Sequence, residues 1–327
     1  MDTDPRQYLW PGIIVAQAIH AAARLGIPDL LSSGPKTAAA LAIECGAHAP
    51  TLERLLRALV AFGILAVAPN DCFQNTPFTE VLRADHPQSQ RDFAMFLPAG
   101  FLWRPIGELH ESVRTGQPAF PRIFGQSFFA YLASHPGDAA IFNTVMTQGV
   151  AWTTPALLAA YDFSRFETLM DVGGGEGALL RDILAATPGL RGVLFDLPGV
   201  VAGAPAVLGR EAARCQIVGG NFFESVPEGA DAYLFKGVIH DWPDEEAAKI
   251  LRNVRRVIRP GGTLLLIEGI ADSAARPAGL MDLLMLTIGG RERTEAEFRA
   301  LLSGADFAIT RILNTDRTSV IECRPAS

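Results

Sequence analysis

The chain has 327 residues, 49% of them hydrophobic and only 19% charged, with a formal net charge of −7. A chain this apolar can bury enough surface to offset its ordering entropy, which excludes disorder, and its acidity excludes general binding to nucleic-acid phosphates. Its apolar runs fall far short of the ~20 residues that span a bilayer, and MDTDPRQYLW lacks the basic and apolar regions of a secretion signal, so the expected location is the cytoplasm.

Length suggests about two domains at ~150 residues each, and the pattern divides them into 1–90, 91–160 and 161–327. Residues 11–25 (PGIIVAQAIHAAARL) are apolar on most faces, which predicts a buried helix, buried against another chain if not within this one. A short helix at 37–42, a turn at 46–50 and a second helix through TLERLLRALVAFG follow, with Leu52, Leu55, Leu56 and Leu59 at helical spacing. Residues 64–68 and 72–75 read as short strands around Pro69-Asn70-Asp71. Together these make a winged-helix arrangement. Its second helix offers only Arg54 and Arg57 beside Glu53, a poor basic face for DNA, which favours a dimerisation role.

Residues 88–160 read as mainly helical and aromatic, either core or the wall of a pocket for a flat ligand. From residue 168 strands and helices alternate: TLMDV (168–172), GVLFD (192–196), CQIV (215–218), DAYLFK (231–236) and TLLLIE (263–268), with helices near 177–187, 198–213 and 244–258. Repeated βαβ units predict an α/β fold with a Rossmann-like, doubly wound, mostly parallel sheet. Residues 306–313 and 318–323 add a C-terminal antiparallel hairpin. The four cysteines (Cys45, Cys72, Cys215, Cys323) form no CxxC pair and read as free thiols, with no metal site.

Asp171-Val172-Gly173-Gly174-Gly175-Glu176-Gly177 ends one strand and opens a helix, where glycine lets the backbone approach a ligand. Asp196 ends the next strand, placed to accept ribose hydroxyls. The spacing Gly173, Gly175, Ala178 also satisfies the dinucleotide fingerprint, so an NAD-dependent oxidoreductase is one alternative and a winged-helix DNA-binding regulator another. An acid directly before the loop and glycines at 173, 175 and 177 resemble the first motif of class I S-adenosylmethionine methyltransferases.

The stretch FKGVIHDWPDEE (235–246) places His240 beside acids and a tryptophan just after the fourth parallel strand, where a doubly wound sheet does its chemistry. Glu268 ends the next strand, 28 residues after His240. An apolar strand with a Glu at its mouth is not ordinary core. Glu292 lies in GGRERT, and spacing alone reads it equally as a solvated loop acid.

With DVGGGEG, FDLPGV, GGNFF, FKGVIHDWPDEE, RPGGTLLLIE and GGRERTEAEF in this order, nearly the whole chain resembles the caffeic-acid-type small-molecule O-methyltransferases and their bacterial natural-product relatives. The resemblance implies a homodimer and S-adenosylmethionine as cofactor, with S-adenosylhomocysteine as product and no metal. It places Asp171, Gly173 and Gly175 at the cofactor, Asp196 on the ribose, Asn221, Phe222 and Trp242 near the adenine, and Lys236 at the strand end. It makes His240 the general base, oriented by Glu268 and Glu292, with in-line attack of an aromatic hydroxyl on the sulfonium methyl. Met146 and Met285 would hold the acceptor, with Phe142 and Asp241 alongside. Asn221 departs from the family's usual aspartate, and an N-methyltransferase acting on an aromatic heterocycle is the nearest alternative activity. No nucleic acid or membrane partner is implied.

The charge deficit is local. About 14% of residues 1–160 are charged, against about 25% of residues 161–327, the usual value. The expectation is that a homodimer interface and an apolar acceptor pocket in the first half account for that difference.

Overall fold

The computed structural model describes residues 4–272, 279–316 and 318–326. The chain forms two compact units, Met1–Arg104 and Pro105–Ser327, so the helical segment 91–160 is divided between them.

In the first unit, helix Arg6–Arg24 is followed by strand β1 (Lys36–Thr37) and helix Ala38–Cys45. Thr37 caps that helix, its hydroxyl accepting the Ala40 N–H at 3.2 Å, and Gly46 in the left-handed region ends it. Helix Ala49–Ala61 turns Leu52, Leu56 and Leu59 inward, each buried to 3% exposure or less, against Leu41 and Phe73. Strands β2 (Leu65–Ala68) and β3 (Cys72–Asn75) pair antiparallel around Asn70 and Asp71, both at positive φ, and β1 adds a third strand on the other side of β3. At two residues, β1 is too short to leave a periodic trace in the sequence. On the apolar N-terminal helix Ala22 and Ala23 are buried within the chain, while Leu9, Trp10, Ile13 and Ile14 are 51–75% exposed, the face expected to be buried against another chain if not within this one.

The second unit is built on seven strands: β4 (Thr168–Val172), β5 (Arg191–Asp196), β6 (Cys215–Gly219), β7 (Ala232–Lys236), β8 (Thr263–Glu268), β9 (Phe307–Asn314) and β10 (Ser319–Pro325). Their order is β6-β5-β4-β7-β8-β10-β9. The first five pair parallel, and β10 runs antiparallel to both β8 and β9. Both faces are covered, so the strands are apolar throughout yet still alternate between two cores. Met170, Val172, Phe235, Leu264 and Leu266 face Ile250, Val254 and Phe298. Leu169, Leu194, Leu234, Leu265 and Ile267 face Leu180, Ile183 and Leu157. Each large apolar side chain so buried contributes about 1.5–3 kcal/mol.

The expected single helix at 198–213 is three pieces, Pro198–Val201, Ala204–Leu208 and a 3₁₀ stretch Gly209–Arg214. Pro205 has no N–H to continue the first piece, and Gly209 at φ +55° cannot extend the second. Between residues 105 and 160 the short helices end at Gly116 and Gly125 before the long helix Pro136–Ala160. Phe120, Phe124, Phe128 and Tyr131 pack there ring on ring, with centroids 4.6–5.5 Å apart. Among the described residues, no helix is long and apolar enough to cross a membrane. No group of His, Cys, Asp or Glu among them is arranged to hold a metal ion.

Candidate active site

The sheet reverses its direction of strand addition between β4 and β7, and the carboxyl ends of β4, β5, β7 and β8 place Asp171, Asp196, Lys236 and Glu268 along one edge. After β4 the chain turns through Gly173, Gly174 and Gly175. A Cβ at Gly173 would lie 2.9 Å from Val238, and one at Gly174 2.6 Å from the Asp171 carboxyl carbon. The loop is therefore obliged to be bare backbone. Asp171 is 2% exposed and its Oδ2 has no hydrogen-bond partner. Burial, with Asp196 nearby, pushes its carboxyl up to about 7 against the pull of Lys236. Asp196 accepts the N–H of Gly175 at 2.8 Å and of Leu197 at 2.6 Å, which ties the strand end to the glycine loop. Each of its oxygens keeps a second lone pair for a ligand. Burial lowers the Lys236 ammonium, opposed by Glu268 and Asp171.

After β7, the Gly237 N–H continues the ladder to Ile267 O at 3.0 Å, and its φ of +60° then swings the chain into the 3₁₀ turn Ile239–Asp241. Nδ1 of His240 lies 2.9 Å from Oε1 of Glu292, and Nε2 lies 3.6 Å from Oδ1 of Asp241. A carboxylate accepts, so Nδ1 carries a proton in either charge state and Nε2 is the nitrogen that gains or loses one. Glu268 meets this turn through the turn's backbone. Its Oε1 accepts the backbone N–H groups of Val238 at 3.2 Å and Ile239 at 2.8 Å. Burial works against the imidazolium, but Glu268, Asp241 and the hydrogen-bonded Glu292 outweigh it and raise His240 to about 10. Burial also drives the Asp241 carboxyl up to about 7, with His240 opposing.

The remaining expected residues divide. Trp242 stacks on Phe129 at 5.1 Å and meets Phe223 edge-on at 4.6 Å, while its buried Nε1 has no partner. Phe222 packs edge-on toward Trp242 at 6.1 Å. Asn221 uses its amide within its own turn: Oδ1 accepts the Phe223 N–H, and Nδ2 donates to Glu224. Phe142 packs against Phe128 and Phe129. Met285 is buried on helix Gly279–Ile288, whereas Met146 is 45% exposed.

Residues that sequence reasoning passed over complete the turn. Arg293 is fully buried and donates to Ile239 O, Trp242 O and Asp244. Asp282 accepts the Glu292 N–H at 2.8 Å. A Cβ at Gly290 would land on the His240 carbonyl. One signal was legible, since Thr294 and Glu297 form a capping box that starts helix Glu295–Ser303 and fixes where Arg293 stands.

Residues 106–308 match the O-methyltransferase domain family, and residues 8–85 match the O-methyltransferase dimerisation domain. The chain is 41% identical to the mitomycin biosynthesis 6-O-methyltransferase of Streptomyces lavendulae, over 91% of this chain and 87% of that protein. It is 36% identical to the 8-amino-8-demethylriboflavin N,N-dimethyltransferase of Streptomyces davaonensis, over 95% and 92%. The O-methyltransferase NcsB1 of neocarzinostatin biosynthesis, solved with S-adenosyl-L-homocysteine and 1,4-dihydroxy-2-naphthoic acid, superposes with a TM-score of 0.87 at 36% identity, covering 96% of each chain. An NAD-dependent oxidoreductase and a DNA-binding regulator are thereby set aside, and the chain belongs to the O-methyltransferase family.

Proposed function

We propose that this enzyme transfers a methyl group from S-adenosylmethionine to a hydroxyl of a small aromatic natural product, with His240 as general base. The observation that carries this reading is the 2.9 Å pairing of His240 Nδ1 with a buried glutamate, which leaves Nε2 as the nitrogen that takes a proton. The site fits the cofactor. The bare backbone at Gly173–Gly175 accommodates close approach, Asp171 offers an unpaired buried oxygen, and Asp196 has lone pairs for ribose hydroxyls. Lys236, Phe222 and Trp242 complete the set. When bound, S-adenosylmethionine supplies a methyl group carried on a positively charged sulfonium.

The chain's own work is to orient the acceptor and remove its proton. Aromatic residues and Met285 suit a flat ring, and Asp241 beside Nε2 suits a hydrogen-bond donor on it. A phenol titrates near 10 and a free histidine near 6.5, a mismatch of about 5 kcal/mol at ~1.36 per unit. Glu268, Asp241 and Glu292 favour the imidazolium that forms when Nε2 takes the proton, which lowers that cost. The proton passes from the acceptor oxygen to Nε2 as that oxygen attacks the methyl group. An aromatic amine attacks without prior deprotonation, so the intact His240–Glu292 pair favours oxygen over nitrogen as acceptor.

The dimerisation-domain match and the exposed Leu9, Trp10, Ile13 and Ile14 support a homodimer. The four free cysteines support a reducing compartment, the cytoplasm.

The test is a screen of aromatic acceptors with labelled cofactor and mass spectrometry of products, run on wild type and His240→Gln. The variant should bind S-adenosylmethionine and S-adenosylhomocysteine normally by calorimetry and lose about 10²–10⁴ in turnover. Wild-type turnover in the variant overturns the general base. Methylated amines and no methylated phenols overturn the O-acceptor.

A further inference from the structure

His240 stands on a three-residue 3₁₀ turn whose own hydrogen bonds are long, Asp241 N–H to Val238 O at 3.2 Å and Trp242 N–H to Ile239 O at 3.4 Å. Such a turn does not hold a side chain to a few tenths of an ångström unaided. Its N–H side is gripped by the Glu268 carboxylate. Its carbonyl side is gripped by a cation. Arg293 donates from Nη1 to Ile239 O at 3.0 Å and from Nη2 to Trp242 O at 2.8 Å, so it spans the two carbonyls that bracket His240 and Asp241. Nε of the same guanidinium lies 2.9 Å from Asp244 Oδ1, which aims it. Arg293 is the largest fully buried side chain of the described residues. A buried cation is retained only where its donors are satisfied, and here they are satisfied by two carbonyls of one turn and the Asp244 carboxylate.

The neighbouring residues act on the same turn. Glu292 takes His240 Nδ1, and the Arg291 N–H donates to His240 O at 2.8 Å. We propose that Arg293 is a positioning residue for methyl transfer, clamping the carbonyl side of the His240 turn so that the imidazole stays on Glu292. This rests on the reading of His240 as the base. The planar fork is what the role needs: a lysine ammonium at the same place keeps the charge but cannot bridge two carbonyls and a carboxylate in one plane.

The experiment compares Arg293→Lys and Asp244→Ala with wild type. Thermal denaturation, calorimetric cofactor affinity, kcat and KM are measured, with an NMR titration of the His240 imidazole in the ligand-free protein. Glu268 and Asp241 face the imidazole along with Glu292, and neither variant removes any of these groups. Arg293→Lys should lower kcat about 10–100-fold, the cost of a misplaced catalytic group, with cofactor affinity held within about twofold. The imidazole should titrate at lower pH, because it drifts away from Glu292. Asp244→Ala should move kcat and the titration in the same direction by less. Its carboxylate is 60% exposed, so this variant decides the matter if Arg293→Lys does not fold. Folded variants with wild-type kcat, or a kcat loss with an unmoved imidazole titration, overturn the proposal. His240→Gln separates the two readings. If it is inactive while the clamp variants behave as wild type, only the clamp falls; if it is fully active, the base itself falls.

Discussion

Oε1 of Glu268 accepts the backbone N–H of Ile239 at 2.8 Å, so this strand-end acid grips His240 through the chain and not through the ring. Its other oxygen is buried without a partner. The two acids flanking the histidine therefore differ in kind. Glu292 sets the proton on the imidazole, and Glu268 sets the turn that carries it.

That division predicts different consequences for two substitutions at Glu268. Glu268→Gln keeps an oxygen for the Val238 and Ile239 N–H groups, so thermal stability should hold while the imidazole titrates at lower pH. Glu268→Ala leaves two buried donors unpaired, at about 1–3 kcal/mol each. Its melting temperature should fall clearly before any kinetic effect is considered.

At Glu292 the expected loss is chemical. An amide in Glu292→Gln can donate to Nδ1 as readily as accept, which allows the tautomer that presents N–H at Nε2. Turnover should fall about 10²–10⁴-fold, the worth of a general base, with cofactor affinity retained. Retained turnover in a folded Glu292→Gln would show that the tautomer is set elsewhere.

Asp171 makes a pH prediction. Its folded carboxyl titrates near 7, above an ordinary value of 3.8, so the folded state binds the proton more tightly across that range. Stability from this group is fully present below 3.8 and is lost as pH rises through 7. Asp171→Asn should therefore flatten the decline measured by chemical denaturation between about pH 4 and 8, recovering at most a few kcal/mol at ~1.36 per unit. The same variant should weaken S-adenosylmethionine binding. If the decline is unchanged, this carboxyl is not the group losing its proton.

Elsewhere in the second unit, the Tyr161 hydroxyl donates to Glu322 at 2.8 Å, and Arg165 and Arg311 share that carboxylate. Burial and the neighbouring Glu322 push the phenol well above its usual range, so it stays a donor at any working pH. Tyr161→Phe should cost about 0.5–1.5 kcal/mol, the net worth of one such bond, because the two arginines remain. Turnover per folded molecule should not change.

Much of this was legible locally. Strands β4 and β8 run over the residues their apolar runs predict, because strand ends coincide with glycine and charge boundaries. The expected helix at 198–213 is broken at Pro205 and Gly209, where the backbone lacks an N–H or takes a positive φ. The Asn221 amide is taken by its own turn, a competition that composition does not reveal.

The sequence alone determined the doubly wound sheet, the acids and lysine at its carboxyl edge and the histidine turn beyond β7, since each rests on periodicity and spacing within a few dozen residues. It also located the apolar excess in the first half, where the exposed face of helix Arg6–Arg24 now accounts for part of it. Only the tertiary structure decided that Glu292, 52 residues from His240, pairs with its ring. Only it showed that Arg293 is buried beneath the same turn. Both follow from how segment 290–293 packs against the edge of the sheet. That packing is a long-range balance of buried charge and backbone donors, which spacing along the chain does not encode.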